Sequence, residues 1–140
     1  MLVWLALALV LGFAAYVRLA PSDPALWHVP VQAEGPWGQV VAQTGAASVR
    51  LGPEAGAPAD LLARLDAVAL ASPRTTRLAG RVEDGRITWI SRSLIWGFPD
   101  YITAETRPDG LHVLARLRFG REDMGVNAAR LRDWLARLGG

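Results

Sequence analysis

The sequence has no cysteine and no lysine, and each absence narrows what the chain can do. Without cysteine there is no disulfide, no thiolate metal site and no cysteine nucleophile. All fifteen basic residues are arginines, and the formal net charge is only +2. Nucleic-acid binding requires a stronger and more clustered basic surface, so we do not expect a nucleic-acid partner.

Recognisable catalytic motifs are also missing. The chain contains no GxSxG, HExxH, P-loop, dinucleotide-binding or EF-hand pattern. Its two histidines, His28 and His112, lie far apart in the sequence, and no carboxylates flank either one at ligand spacing. We therefore expect no metal site and no cofactor, and we assign no catalytic residue.

The N-terminal segment is apolar on all sides. Leu2 to Val17 carry no charge, and with Arg18 extending its side chain toward water the span can run over residues 1–20. Twenty residues of helix measure about 30 Å, enough to cross a bilayer. A cleaved signal peptide is the alternative, but its best cleavage site, after Ala20, is followed by Pro21. We expect an uncleaved single-pass transmembrane anchor.

Residues 21–58 have the composition of a tether. They contain six of the nine prolines and are also rich in glycine, which predicts a juxtamembrane linker without regular structure. Within it, residues 39–51 offer an alternative, a β-hairpin that turns at Thr44-Gly45.

Periodic patterns begin at residue 59 and continue to the end, which predicts one α+β domain over residues 59–140. Apolar residues at helical spacing predict a first helix from Ala59 to Ser72 and a last helix from Val126 to Leu138. Between them, the turn pairs Asp84-Gly85 and Asp109-Gly110 separate strand-like runs. We expect four antiparallel strands (TRLAGRV, RITWISR, YITAET and LHVLARLRF) with both helices on one face of the sheet.

Residues 74–121 contain nine arginines and five acids, and therefore hold the basic excess of the chain. Because the helices cover the apolar face, we expect the other face of the sheet to be wetter and to carry most of these arginines.

The stretch WGFPDY, residues 96–101, joins the second and third predicted strands. In the structural interpretation, Trp96 and Phe98 tuck under the edge of the sheet and Asp100 bonds nearby amides. In the functional one, the aromatic rings border a ligand and Asp100 acts as a base.

The stretch RLRFGREDMGVNAAR, residues 116–130, is the densest cluster of charge and glycine. Asp123 or Asn127 could cap the last helix. Arg116 and Arg118 share one face of a strand, so both can meet Asp123 and Glu122, or both can meet an external anion beside the helix N-terminus.

Four stretches together resemble the bacterial and plastid family known as domain of unknown function 1499. They are RLAPSDPALWHV, PRTTRLAG, ITWISRSLIWGFPDY and RLRFGREDMGVNAAR, and the likeness covers residues 18–27 and 73–138. The family motif ends in Asp-x-Gly-x-Asn-x-x-Arg, which Asp123, Gly125, Asn127 and Arg130 match, whereas Leu117 stands where a small hydroxyl residue is expected. The resemblance implies no established activity, but it implies that membrane-anchored or exported forms are common.

We expect a non-catalytic binding or accessory module, anchored in a bacterial inner membrane, for an anionic ligand, a lipid headgroup or a membrane-protein partner. The resemblance favours a periplasmic domain, whereas Arg18 favours a cytoplasmic one. The rival hypotheses are a small envelope enzyme that uses Asp100, His112 and Asp123, and a purely structural subunit. The candidate ligand-binding residues are Arg116, Arg118, Arg121, Asp123, Asn127, Arg130 and Asp100.

Overall fold

The computed structural model describes residues 1–139, which form four α-helices and six β-strands. The helices are α1 (Leu2–Leu19), α2 (Pro24–Trp27), α3 (Pro58–Ala71) and α4 (Val126–Leu138). The strands are β1 (Val41–Gln43), β2 (Ala46–Leu51), β3 (Thr75–Arg81), β4 (Arg86–Arg92), β5 (Pro99–Arg107) and β6 (Gly110–Leu117). The α+β class is confirmed.

The sheet has six strands in the order β1-β2-β6-β5-β4-β3, so the prediction of four strands is wrong. All neighbouring pairs are antiparallel. The two additional strands come from the hairpin at Thr44-Gly45, inside the segment that we expected to be a tether. β2 adds to the edge of β6 because alternate β2 residues, such as Val49, bury their side chains in the same core as β6 residues such as Val113.

α3 and α4 pack on one face of this sheet, as predicted. Their leucines meet the inward-facing residues of the central strands in one core. At its centre Trp89 of β4 and Trp134 of α4 lie edge to face, with ring centroids 5.7 Å apart. The Trp89 indole N–H donates to Asp66 of α3 at 2.9 Å, so the ring is buried without an unpaired donor.

The other face of the sheet is not open to water. Residues 21–37, here called the covering segment, lie across it before the chain enters β1. Polar side chains of the sheet are buried beneath them, including Thr88, Thr103 and His112, each at most 2% exposed. The expectation of a wetter second face is therefore wrong.

Hydrogen bonds from main chain to side chain hold the covering segment in place. The Val31 N–H donates to Glu105 at 2.8 Å, and the Ala33 N–H donates to Nδ1 of His112 at 3.0 Å. Nε2 of His112 lies 2.8 Å from Asp109, so the imidazole proton sits on Nε2 and is donated to that carboxylate. Polar residues on this face thus bond main-chain groups of a segment whose regular structure is limited to the single turn of α2.

Within residues 1–139, α1 is the one helix long and apolar enough to cross a membrane, with a mean hydropathy of 2.1. A signal sequence meets the same criterion.

Candidate functional site

Arg116 and Arg118 face the covering segment. The Arg116 guanidinium lies 4.7 Å above the ring of Trp27 and donates to the Trp27 carbonyl at 3.4 Å. Arg118 donates to the carbonyl of Pro21 and to the hydroxyl of Tyr101, both at 3.0 Å. Burial lowers the pKa of Arg116, but a guanidinium stays charged at any physiological pH. Neither arginine therefore uses Asp123 or Glu122 as its partner.

The start of α4 is capped by Asp123. Its carboxylate accepts the N–H groups of Gly125 and Asn127, each at 3.0 Å. Glu122 accepts the N–H groups of Asp123 and Met124. Of the two predicted caps, Asp123 is the one whose side chain accepts a helix N–H group, although it lies two residues before the N-cap position, Gly125. Although burial raises the pKa of Asp123, these hydrogen bonds outweigh it and leave the pKa below its ordinary value.

An ion pair joins the second turn of α4 to the start of β5. Nη1 of Arg130 lies 3.1 Å from Asp100 and also donates to Oδ1 of Asn127 at 2.6 Å. Burial raises the pKa of Asp100, and the charge of Arg130 only partly offsets that effect. The side chain of Asn127 is fully buried, and its Nδ2 makes no hydrogen bond of good geometry among residues 1–139. The motif residues Asp123, Asn127 and Arg130 therefore fix the entry of α4 onto the sheet.

The three residues of the rival enzyme hypothesis do not meet. Asp100 and Asp123 line the same cavity, but His112 lies elsewhere. Asp100 pairs with Leu117 across β5 and β6, and five positions along β6 separate Leu117 from His112, roughly 17 Å. Within residues 1–139 no group of three or more acidic or histidine side chains is placed to hold a metal ion.

The loop between β4 and β5 carries exposed apolar residues. Leu94 and Ile95 are more than 70% exposed, and Trp96 is 41% exposed. Phe98 packs against Phe13 of α1, with ring centroids 6.1 Å apart. The expectation that Trp96 and Phe98 tuck under the sheet is wrong. The C-terminal half of α1 packs beside this loop, so Phe98 contacts Phe13 and Trp96 stays partly exposed.

A second loop lies at the same end of the sheet, between β6 and α4. Arg121 and Met124 are exposed there, and Phe119 contacts Tyr16 of α1 at 6.0 Å between ring centroids. Met124 also has a positive φ of 54°, which an ordinary side chain rarely adopts. Both loops thus flank the C-terminal end of α1.

That end of α1 is bonded to the domain. Arg18 donates to the carbonyls of Ile95 and Trp96, the latter at 3.3 Å. Arg92 donates to the carbonyls of Val17 and Gly97, at 3.3 and 2.9 Å. Gly97 has a φ of 73°, and a β-carbon there would lie 3.0 Å from the Arg18 side chain, so glycine permits this close approach.

A basic pocket of about 390 Å³ opens beside this junction. Arg18, Arg74 and Arg92 line it, together with Thr76, Ser93, Leu94 and Gly97. Among residues 1–139 no carboxylate lies within 4.0 Å of any of the three guanidinium groups, so their charge is uncompensated by an ion pair. Arg74, like Met124, has a positive φ, here 53°.

No sequence pattern indicates this pocket as a whole, although the proximity of two of its arginines follows from a predicted hairpin. A hairpin that turns at Asp84-Gly85 brings Arg74 and Arg92 to the same end of the sheet, and the observed register pairs Thr75 with Ser91. The position of Arg18 depends on how the end of α1 packs against the β4–β5 loop. No local sequence pattern predicts this long-range contact.

Comparison with known families now places the chain. Residues 39–138 match the model of a family described as "Protein of unknown function (DUF1499)". The chain belongs to this family. A search of curated proteins found no match.

The DUF1499 match includes the whole sheet, α3 and α4 but begins after α1 and the covering segment. Arg74, Arg92 and the Asp100–Arg130 ion pair thus lie within the DUF1499 region. Arg18 lies outside it, so the basic pocket combines residues of the DUF1499 region with one residue of the preceding helix.

Proposed function

We propose that α1 anchors this DUF1499 domain in a membrane and that the basic pocket binds the phosphate group of a phospholipid headgroup. The observation that carries this proposal is the convergence of Arg18, Arg74 and Arg92 on one pocket at the end of α1. Guanidinium groups bind phosphate through paired, charge-assisted hydrogen bonds. The hydroxyls of Thr76 and Ser93 supply further donors.

The junction between α1 and the domain supports an anchor rather than a cleaved signal peptide. α1 has eighteen residues, or about 27 Å of helix, and almost all of its surface is exposed. Val17, by contrast, is 1% exposed, and Arg18 is bonded to the β4–β5 loop. Cleavage after α1 would remove these contacts and expose the surface of the domain that they cover, so they favour an uncleaved helix.

The depth of the pocket supports a headgroup as the ligand. An arginine that ends a membrane-spanning helix lies at the level of the lipid phosphates, where its charge remains hydrated. Arg18 brings the basic pocket to this level. The exposed Leu94, Ile95 and Trp96 lie beside it, where an interfacial position would cover their apolar surface.

A bacterial inner membrane and a periplasmic domain are part of the same proposal. A C-terminal reporter fusion tests the second: we expect activity from a reporter that works only in the periplasm, and activity from one that works only in the cytoplasm would reverse the orientation. A membrane-protein partner is the other candidate for the exposed loops, and crosslinking in native membranes would reveal it as a reproducible protein adduct.

The headgroup proposal is tested on the full chain in detergent by native mass spectrometry with added phosphatidylglycerol. We expect the double variant Arg74→Gln/Arg92→Gln to bind this lipid at least about tenfold more weakly, since one hydrogen bond to a charged group contributes about 1.5–3 kcal/mol. The matched control is Arg81→Gln/Arg137→Gln, which removes two exposed arginines outside the pocket. Equal binding of an uncharged glycolipid, or no difference between the two double variants, would refute the proposal.

The alternative function is a small envelope enzyme that uses the carboxylates near the sheet edge. It is supported by Asp100 and Asp123, which line one cavity and have pKa values shifted in opposite directions. Turnover of phosphate-ester, acyl-ester or glycoside substrates that is lost in Asp100→Asn would favour it. Turnover that persists in this variant would exclude the pair as its acid and base.

A further inference from the structure

Three neighbouring cavities, here together called the groove, lie along the end of the domain that meets α1. The basic pocket shares Arg74, Arg92 and Ser93 with a middle cavity of about 270 Å³. The middle cavity shares Ser93, Asp100 and Val126 with a third cavity of about 460 Å³. The shared lining residues show that each cavity borders the next.

The chemical character of the groove changes in a fixed order. Arginines line the first cavity, and the hydroxyls of Thr75 and Ser91 with the Asp100–Arg130 pair line the middle one. The third cavity is walled mainly by apolar side chains. These are Phe13, Phe98, Leu117, Phe119 and Val126.

Three acidic residues also border the third cavity, and each of their carboxylates already accepts at least one hydrogen bond within the protein, that of Asp100 from Arg130. Asp123 accepts the amides of Gly125 and Asn127, and Glu122 accepts the amides of Asp123 and Met124. An acyl chain there would contact the phenyl rings without stripping water from an unpaired carboxylate.

The direction of the groove agrees with the direction of a lipid. Arg18 lines the basic pocket, and Phe13 lines the third cavity. Five residues of helix separate them, so Phe13 lies about 7.5 Å closer to the middle of the proposed membrane span. The charged end of the groove thus lies at the headgroup level and the apolar end lies deeper.

We propose that this groove holds one glycerophospholipid drawn partly out of the bilayer. Its phosphate binds Arg74 and Arg92, its glycerol oxygens lie at Ser93 and Asp100, and one acyl chain crosses Phe98 and Phe119. The inference rests on the proposed function, because the headgroup end is the same basic pocket. It adds that the chain recognises the glycerol and acyl parts of the lipid as well as the phosphate.

Val126 allows the acyl end to be tested without changing the arginines. It is 49% exposed at the start of α4 and lines both the middle and the third cavity, so Val126→Trp blocks the passage between them. Leu70→Trp is the matched control, since Leu70 is 48% exposed on α3 and lines none of the three cavities. Equal thermal midpoints of the two variants would show that both fold.

The measurement is the affinity of the full chain for glycerol phosphate and for monoacyl glycerol phosphates with short and long acyl chains. In the unmodified chain we expect affinity to rise with chain length, by up to about fourfold for each methylene group that becomes buried. We expect Val126→Trp to remove this rise and to leave the binding of glycerol phosphate unchanged. Leu70→Trp should behave like the unmodified chain.

The outcomes separate this inference from the headgroup proposal. If the affinity of Val126→Trp still rises with acyl chain length, the groove inference is refuted, and the proposal that the basic pocket binds a headgroup is unaffected. Affinities for glycerol phosphate and for the monoacyl glycerol phosphates that are all unchanged in Arg74→Gln/Arg92→Gln overturn both. As a second readout, a lipid with a photoreactive group at the end of its acyl chain should crosslink to the Phe98 or Phe119 loops, and adducts confined to the N-terminal half of α1 would contradict the assignment.

Discussion

Trp27 lies flat on Tyr101, with ring centroids 3.9 Å apart and ring planes only 13° from parallel. The stack joins the covering segment to β5, and the Tyr101 hydroxyl extends it by bonding Ser22 at 2.6 Å. The guanidinium of Arg116 also lies against the Trp27 ring. Tyr101 and Arg116 are paired across β5 and β6, so the Trp27 indole contacts a phenol and a guanidinium that lie side by side on the sheet.

Trp27→Ala should loosen the covering segment. Loss of the stack and of the cation–π contact should lower the free energy of unfolding by about 1–3 kcal/mol. Limited proteolysis should then cut within residues 21–37. Trp96→Ala is the control, since Trp96 is 41% exposed in the β4–β5 loop. Cleavage that is equally fast in both variants would mean that the stack does not hold the segment.

Asp123→Ala should remove the cap of α4 and destabilise the domain by about 1 kcal/mol. Chemical unfolding in detergent measures the change. Asp133→Ala provides the comparison because Asp133 makes only an exposed ion pair with Arg137, which contributes little. If the two variants unfold alike, the hydrogen bonds of Asp123 to Gly125 and Asn127 are not stabilising.

Arg130→Met should be the most damaging of these changes, at about 2–4 kcal/mol, because it leaves the carboxylate of Asp100 buried without its counter-ion. The pKa of Asp100, already raised by burial, should rise further. A carboxyl whose pKa is higher in the folded than in the unfolded chain destabilises the fold when it is ionised. The variant should therefore regain stability as the pH falls through the raised pKa of Asp100. Adding Asp100→Asn should recover part of the loss at neutral pH. A double variant no more stable than Arg130→Met would contradict the pairing.

His28 should make stability depend on pH below neutrality. Burial, followed by the charge of Arg86, holds its pKa below the ordinary value of 6.5, against opposing effects of Asp84 and Glu105. The unfolded chain therefore takes up a proton at a higher pH than the folded chain. Stability is complete above about pH 6.5 and falls as the pH drops from there through the lowered pKa. Thermal midpoints against pH should show this fall, and His28→Gln should flatten it; an unchanged slope would assign the effect to other groups.

Local patterns predicted the elements whose partners are close in sequence. α4 was predicted with its observed bounds because Leu131, Trp134 and Leu138 form one apolar stripe. The β3–β4 hairpin followed from Asp84-Gly85, although a short 3-10 turn at Val82–Asp84 enters it.

The covering segment could not be predicted in the same way. Its main-chain groups bond side chains such as Glu105 and His112, more than seventy residues away, and such pairing leaves no period in the sequence. The residues around the start of α4 could be predicted only in part, because some of their contacts are also distant in sequence. The cap at Asp123 is local and was one of two predictions, whereas the Asp100–Arg130 pair depends on where α4 docks on the sheet.

The covering segment uses the whole stretch of chain between α1 and the sheet. It is bonded near its start, where Arg118 meets Pro21, and near its end, where Arg50 donates to the carbonyl of Gly35 at 2.7 Å. These bonds, together with those of Arg18 and Arg92 at the end of α1, restrain the domain from swinging on its first helix. We therefore expect a tilt or rotation of α1 to turn the sheet with it, so that the orientation of this helix determines which surface of the domain faces other proteins or lipids.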